Sequence, residues 1–254
     1  MELDLKDRVA LVTGAGSPIG FGRAIALTLA REGCHIIAND INFEEAGQAA
    51  AEVKALGRKA IPVKSDVAVS AEVKDMVGTS LDKFGKIDIL VNNAGASFAR
   101  GPFAEQKEED WDKDINLNLK GFMLCARAVL PQMLERKYGK IINISSGTAK
   151  CGAPEFEAYA ATKAGIGGFS KSLALELATS GINVNCVAPG CAVTNFVGGK
   201  MDSGLKRMID TRVPQKRATV PQDIANMVAF LASDVSSNIT GQMFSVDGGL
   251  TMTA

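Results

Sequence analysis

The sequence predicts an α/β fold: a doubly wound, mostly parallel seven-stranded sheet with helices on both faces, of the Rossmann type. Three observations predict it. Short apolar, β-rich runs alternate with helical patterns, and strands alternating with helices at roughly 25-residue spacing indicate βαβ units. The strand runs are apolar throughout rather than alternating, as expected of strands covered on both faces, and right-handed crossovers then give a doubly wound sheet. No linker, low-complexity stretch or composition shift interrupts the rhythm, so residues 1–254 read as one domain.

The first strand, 9–13, runs into Thr13-Gly14-Ala15-Gly16-Ser17-Pro18-Ile19-Gly20-Phe21-Gly22 and helix 21–32. A glycine-rich turn in this position lets backbone approach a pyrophosphate, whose charge then faces the helix N-terminus. The second strand, 36–39, ends at Asp40, 18 residues beyond Gly22. An acidic side chain there is placed to accept hydrogen bonds from the adenosine ribose hydroxyls and repels a 2′-phosphate. No Lys or Arg in the turn or just after Asp40 offsets that charge, so the expectation is NAD(H), preferred over NADP(H). Helix 44–56 leads to strand 60–64 and then Asp66-Val67, where Asp66 is suited to accept from an adenine amino group. Helix 70–84 precedes strand 87–92, which ends in Asn92-Asn93-Ala94-Gly95. The asparagines are suited to bracing the loops through side-chain to backbone hydrogen bonds, with plain turn-making as the rival role.

A helical stretch at 108–135 comes next, then strand 140–145, then Ser146. Helix 158–178 opens on Tyr159-Ala160-Ala161-Thr162-Lys163, with Tyr159 thirteen residues after Ser146. Strand 183–188 leads to Pro189-Gly190. The segment 195–218 breaks the rhythm with Gly198, Gly199, Gly204 and Pro214 around a short helical piece at 205–211. It follows a strand end, where open α/β sheets bind ligands, and reads as a lid over a substrate; the rival is an ordinary surface excursion. Helix 221–231 and strand 243–246 complete the pattern.

Tyr159 and Lys163 are four apart, so a helix puts them on one face. A phenol titrates near 10, too high for ready proton exchange at neutral pH. A positive charge about 5 Å away, at an effective dielectric of roughly 20, favours phenolate by about 3 kcal/mol, on the order of two pKa units. That brings the tyrosine into range as a general acid or base. A serine hydroxyl beside it is suited to hold the substrate oxygen. The chemistry is proton transfer at a carbonyl or alcohol, although Tyr-x-x-x-Lys alone is a common accident on helices.

Composition narrows the alternatives. Lys+Arg and Asp+Glu number 28 each, so no net charge favours nucleic acid or an anionic membrane. The first eight residues do not read as a signal peptide, and 121–134 is too short and interrupted to span a bilayer. Five cysteines without a Cys-x-x-Cys, and His35 as the only histidine, argue against a zinc site or a histidine-based triad. A reduced, cytoplasmic setting fits, with Cys151 and Cys191 as small pocket-lining residues.

At this point the chain resembles the short-chain dehydrogenase/reductase family, in its single-domain form. The resemblance covers essentially the whole chain and rests on the Thr13-Gly14 turn, Asp66, Asn92-Asn93-Ala94-Gly95, Asn118-Leu119-Lys120-Gly121, Ser146, Tyr159-x-x-x-Lys163, Pro189-Gly190 with Thr194, and the ending Ile239-Thr240-Gly241-Gln242 through Val246-Asp247-Gly248-Gly249. It implies Tyr159 as acid/base, Lys163 as the group that lowers its pKa and binds the nicotinamide ribose, and Ser146 as the residue that orients the substrate oxygen, with Ser145 as runner-up. It implies that Asn118, rather than Asn116, holds a proton-relay water. Cofactor contacts are implied for Gly14, Ser17, Ile19, Gly20, Gly22, Asp40, Asp66, Val67, Asn93, Ala94, Gly95, Tyr159, Lys163, Pro189, Gly190, Ala192 and Thr194. The turn is about two residues longer than the family's usual one, which leaves open which N–H groups would hold the pyrophosphate, and Ala192 stands where a larger residue is common.

The leading expectation is an NAD(H)-dependent oxidoreductase interconverting a secondary alcohol and a ketone. A 3-oxoacyl thioester reductase, on acyl carrier protein or CoA, is the alternative within enzymology; a non-catalytic NAD-binding sensor is the alternative outside it. The pocket is expected from 96–103, 147–156 and 191–208, with Phe98, Phe103, Phe156, Phe196 and Met201 suiting an apolar body. Lys150 and Arg100 are placed to meet an anionic tail, or are solvated surface charges. Apolar helical faces at 122–134 and 165–177, with the resemblance, imply a homotetramer.

Overall fold

The computed structural model describes residues 2–194, 196 and 198–252. Its strands are β1 (Val9–Val12), β2 (His35–Asp40), β3 (Ala60–Lys64), β4 (Ile89–Asn92), β5 (Gly139–Ile144), β6 (Ile182–Pro189) and β7 (Met243–Val246). They form one sheet in the order β3-β2-β1-β4-β5-β6-β7, and every neighbouring pair is parallel. The helices are α1 (Phe21–Arg31), α2 (Phe43–Ala55), α3 (Ser70–Phe84), α4 (Glu108–Ile115), α5 (Gly121–Arg136), α6 (Thr148–Cys151), α7 (Glu157–Glu176), α8 (Ser203–Arg212) and α9 (Pro221–Ala232).

Strand side chains alternate between the two faces, and both faces are covered. Ala10 and Val12 of β1 join Ile25, Leu29, Ile224 and Val228 of α1 and α9 in one core. Val9 and Leu11 join Val73, Met76, Val129 and Met133 of α3 and α5 in the other. The continuous apolar runs of the sequence are therefore what a sheet buried on both sides requires. The chain reverses winding direction between β1 and β4, which opens a crevice at the C-terminal ends of the strands, where open α/β sheets take ligands.

Local chemistry fixes the element ends. The Asn42 side chain accepts from the N–H groups of Glu44 and Glu45, capping α2, a contact worth about 1 kcal/mol. Gly14 has φ +62°, and a Cβ there would lie 2.9 Å from the Ala94 Cα, so the turn after β1 seats directly on the end of β4. The helical stretch expected at 108–135 divides in two. A π-helical turn, Asn116–Lys120, separates α4 from α5. Such wide turns are frequent at functional sites, and this one carries Asn118. The short α6 had no signal in the periodicity of the sequence.

Candidate active site

A cavity of about 760 Å³ follows the strand ends. At one end its wall is the turn after β1 with Asp40, Asp66 and Val67; at the other it is Ser146, Tyr159, Pro189 and Thr194. Of the site residues expected from sequence, Gly14, Ser17, Gly20, Asn93, Ala94, Gly95, Lys163, Gly190 and Ala192 also line it. Three do not. Ile19 is exposed and turns toward Gly199. Gly22 lies behind the turn, where a Cβ would collide with the Gly14 carbonyl. Asn118 is fully buried beneath Gly95.

Tyr159 and Lys163 lie one turn apart on α7, 8% and 3% exposed. Burial pushes the phenol up to about 12, while a hydrogen bond with Ser146 and the charge of Arg100 pull it down. Burial also brings Lys163 down to about 7. Its ammonium donates to the Ile144 carbonyl at 3.0 Å and lies 5.6 Å from the Tyr159 ring centroid. Spacing puts the pair on one face of the helix, as expected, and burial favours the neutral form of each group.

The two serines divide their roles. Ser145 is buried and donates to the Lys163 carbonyl at 2.8 Å, so it ties β5 to α7. Ser146 faces the cavity, and its Oγ accepts from the N–H and hydroxyl of Thr148 at 3.2 and 3.0 Å. Asn118 donates to the Ala96 carbonyl at 2.8 Å and the Asp114 carbonyl at 3.0 Å. A Cβ on Gly95 would lie 2.7 Å from Asn118 Oδ1 and 3.3 Å from Lys163 Nζ. Glycine is needed there to let these two groups converge.

At the other end, Thr13 and Asn93 tie β1 to β4. Asn93 donates to the Thr13 and Gly14 carbonyls at 2.9 and 3.1 Å, and the Thr13 hydroxyl accepts from the N–H groups of Asn93 and Ala94. The bracing role expected of the asparagines is thus realised for Asn93. Buried Arg23 reaches the carbonyls of Ala15, Gly16 and Glu45 and pairs with Glu52. Asp66 Oδ1 accepts from the Ala68 N–H at 2.9 Å.

The buried atoms with no hydrogen-bond partner among the described residues include Ser17 Oγ in the cavity wall and Asn118 Oδ1 behind it. Buried polar atoms are seldom orphaned. One lies in the turn at the N-terminus of α1, suited to an anion; the other lies beside Lys163. The cavity thus fits a dinucleotide with its phosphates at the turn and its reactive ring toward Tyr159.

The mouth is aromatic. Phe98, Phe156, Phe196, Leu205 and Met208 line it. Phe156 and Phe196 lie 6.3 and 5.1 Å from the Tyr159 ring. Two residues expected there are elsewhere: Phe103 stacks on Trp111 at 5.3 Å, and exposed Met201 stands outside the cavity wall. Lys150 turns away, donating to Ser245 Oγ at 2.8 Å. Asn195 and Val197 of the expected lid lie outside the described residues. Sequence reasoning missed Thr148 and Asp114. Asp114 is buried, holds the loop after β4 through the N–H groups of Phe98 and Ala99, and has its carboxyl raised by burial. Its place four residues before Asn118 was the available signal.

With this geometry in place, comparison with known proteins is direct. A family profile described as enoyl-(acyl carrier protein) reductase matches residues 14–251. The chain is 42% identical over 247 residues to the 3-oxoacyl-[acyl-carrier-protein] reductase FabG of Staphylococcus epidermidis, covering 97% of this chain and all of the relative. It is 40% identical over 252 residues to the (2S)-[(R)-hydroxy(phenyl)methyl]succinyl-CoA dehydrogenase subunit BbsD of Thauera aromatica, covering 99% of this chain and all of that one. A solved structure, 7α-hydroxysteroid dehydrogenase complexed with NADH and 7-oxo glycochenodeoxycholic acid, superposes with a TM-score of 0.92 at 32% identity, covering 98% of this chain and 96% of that one. The expected preference for NAD(H) over NADP(H) is corrected by these findings: the 3-oxoacyl-[acyl-carrier-protein] reductases among the relatives form an NADPH-dependent class. The physical reason lies at Asp40. Its carboxylate oxygens accept from the Gly16 N–H at 2.8 Å and the Asn42 N–H at 3.0 Å. The side chain fastens the turn, so its acidity alone does not report on a ribose.

Proposed function

The chain belongs to the short-chain dehydrogenase/reductase family and is an oxidoreductase; from that premise we propose that it reduces the 3-oxo group of an acyl thioester, on acyl carrier protein or CoA, to the secondary alcohol. One observation carries the reading: relatives matched from end to end bear names of enzymes acting on acyl thioesters. This displaces the broader expectation of a simple ketone or alcohol.

The residues divide the work as follows. Ser146, itself held by Thr148, donates to the ketone oxygen and fixes it against Tyr159. Tyr159 gives its proton to that oxygen as charge develops on it. Lys163 and Asn118, converging beside Gly95, hold the water from which the tyrosine is reprotonated, and Lys163 holds the nicotinamide ribose. Gly14, Ser17 and Gly20 receive the pyrophosphate, Asp66 and Val67 the adenine, and Pro189, Gly190, Ala192 and Thr194 the nicotinamide. The nicotinamide dinucleotide supplies the hydride when bound. Burial of Tyr159 keeps its proton in place until the substrate oxygen demands it, and positioning supplies most of the rate.

The segment from 198 to 212 acts as the substrate lid; what supports this is that Leu205 and Met208 of α8 line the cavity. We also propose one catalytic domain and a homotetramer, supported by exposed Met123 and Leu134 on α5 and Leu175 on α7, with five free thiols supporting a reducing, cytoplasmic setting. Among the described residues no helix is long and apolar enough to cross a membrane.

The test is a spectrophotometric assay of NADPH and NADH oxidation, side by side, with a 3-oxoacyl-CoA series and a matched set of cyclic ketones. Turnover of the thioesters at a higher kcat/KM is expected. Turnover confined to the ketones overturns the reading.

A further inference from the structure

One cation at the mouth of the cavity forms no ion pair among the described residues, although its charge reaches the buried Asp114 carboxyl. Arg100, on the loop after β4, is exposed at the rim. Its guanidinium carbon lies 5.1 Å from the ring centroids of both Phe156 and Phe196. Those rings stand 6.3 Å apart with 28° between their planes, so the guanidinium is held by two aromatic faces. Nε donates to the Ser97 carbonyl and Nη2 to the Phe196 carbonyl, each at 3.3 Å. Both acceptors are neutral, and most of the N–H fork remains unspent. The cations that line the cavity are accounted for, Lys113 pairing with Asp110 at 2.7 Å and Lys163 being buried, and Lys150 is turned onto Ser245. Three loops distant in sequence converge to hold one positive charge beside the substrate end of the cavity.

We propose that Arg100 receives a free carboxylate on the acyl part of the substrate, so that the preferred substrate is a 3-oxoacyl thioester carrying a second, unesterified carboxyl group. This rests on the thioester reading given above. Distance decides between a carboxylate on the acyl group and a phosphate of the carrier. The contacts through Phe196 put the guanidinium within about 10 Å of the Tyr159 ring, whereas an extended pantetheine arm carries its phosphate on the order of 15 Å beyond the thioester. The planar fork matches a carboxylate with two parallel hydrogen bonds.

The test is steady-state kinetics of the full chain with matched 3-oxoacyl-CoA substrates ending in a carboxylate or a methyl group, and the same acyl groups on N-acetylcysteamine, which has no phosphate. Wild type is expected to favour the carboxylated member by about 10-fold in kcat/KM, the scale of an exposed charge-assisted hydrogen bond. Arg100→Gln is expected to erase that preference while holding the uncharged substrate within about twofold, and Arg100→Lys to restore part of it. Equal losses on charged and uncharged substrates would overturn the proposal, as would a loss seen on every CoA ester and on no N-acetylcysteamine ester. If wild type reduces no thioester, the functional reading fails by itself. A free oxo acid against its methyl ester then decides Arg100 by the same ratio.

Discussion

The floor and the mouth of the cavity are built from different materials. On the floor, Ser146, Lys163 and Asn118 are tied to backbone or to a neighbouring residue's N–H, and Tyr159 is buried beside them. At the mouth, Arg100, Phe156 and Phe196 come from three separate loops and are held by ring contacts and two carbonyl acceptors. A floor fixed by strand ends suits a reaction that is the same for every substrate. A mouth assembled from loops suits recognition that differs from one substrate to the next. Variants of the floor should therefore change kcat, and variants of the mouth should change KM or the preference among substrates.

The largest break is Tyr159→Phe. Removing the proton donor is expected to lower kcat by about 10²–10⁴-fold while leaving nucleotide affinity, read by fluorescence titration, within about twofold. More than a few per cent residual activity would remove Tyr159 from its role. Next is Gly95→Ala. The new Cβ would press on Asn118 Oδ1 at 2.7 Å, a contact no real Cβ makes without displacement. A misplacement of that order costs up to about 10²-fold in kcat. An unchanged kcat would show that the convergence of Asn118 and Lys163 is not used.

How much of this was legible in the sequence follows the same division. The floor was legible because its parts lie at strand ends and at i, i+4 on a helix, where local pattern fixes position. The pKa of Lys163 was not, because spacing says nothing about how much water a side chain keeps. Asp40 shows a similar gap. Its charge was visible, but not the Gly16 and Asn42 N–H groups that occupy it. The mouth was legible only as a set of candidate loops. Phe98, Phe156 and Phe196 reached the cavity and Phe103 and Met201 did not, and no periodicity separates those two groups. The pairing of Arg100 with two rings exists only in three dimensions.

A further test of the floor uses the pH dependence of stability. Lys163 has a folded pKa of about 7, depressed from 10.5. From about pH 7 to 10.5 the unfolded chain therefore binds more protons than the folded one, and this residue's contribution to stability rises with pH. Below pH 7 the burial penalty is complete. Chemical denaturation of Lys163→Met beside wild type is expected to show the variant gaining most at pH 7 and losing that advantage steadily toward pH 9. A gap between the two proteins that stays constant from pH 7 to 9 would mean that Lys163 is charged in the folded state.

The smallest effect is expected from Phe156→Leu, and it tests the division most closely. Phe156 gives one face to Arg100 and an edge to Tyr159, at 5.1 and 6.3 Å. Leucine keeps the apolar wall and the entry into α7 but removes the ring. Losing an exposed cation–π contact, worth about 0.5–1 kcal/mol, should raise KM for a carboxylated substrate about two- to fivefold. The kcat should stay within about twofold, because the Ser146 hydrogen bond and the burial of Tyr159 do not depend on that ring face. A tenfold fall in kcat at constant KM would mean that the edge contact with Tyr159 positions the phenol. The mouth would then be part of the proton-handling machinery, and specificity and catalysis in this chain would not be separable by position.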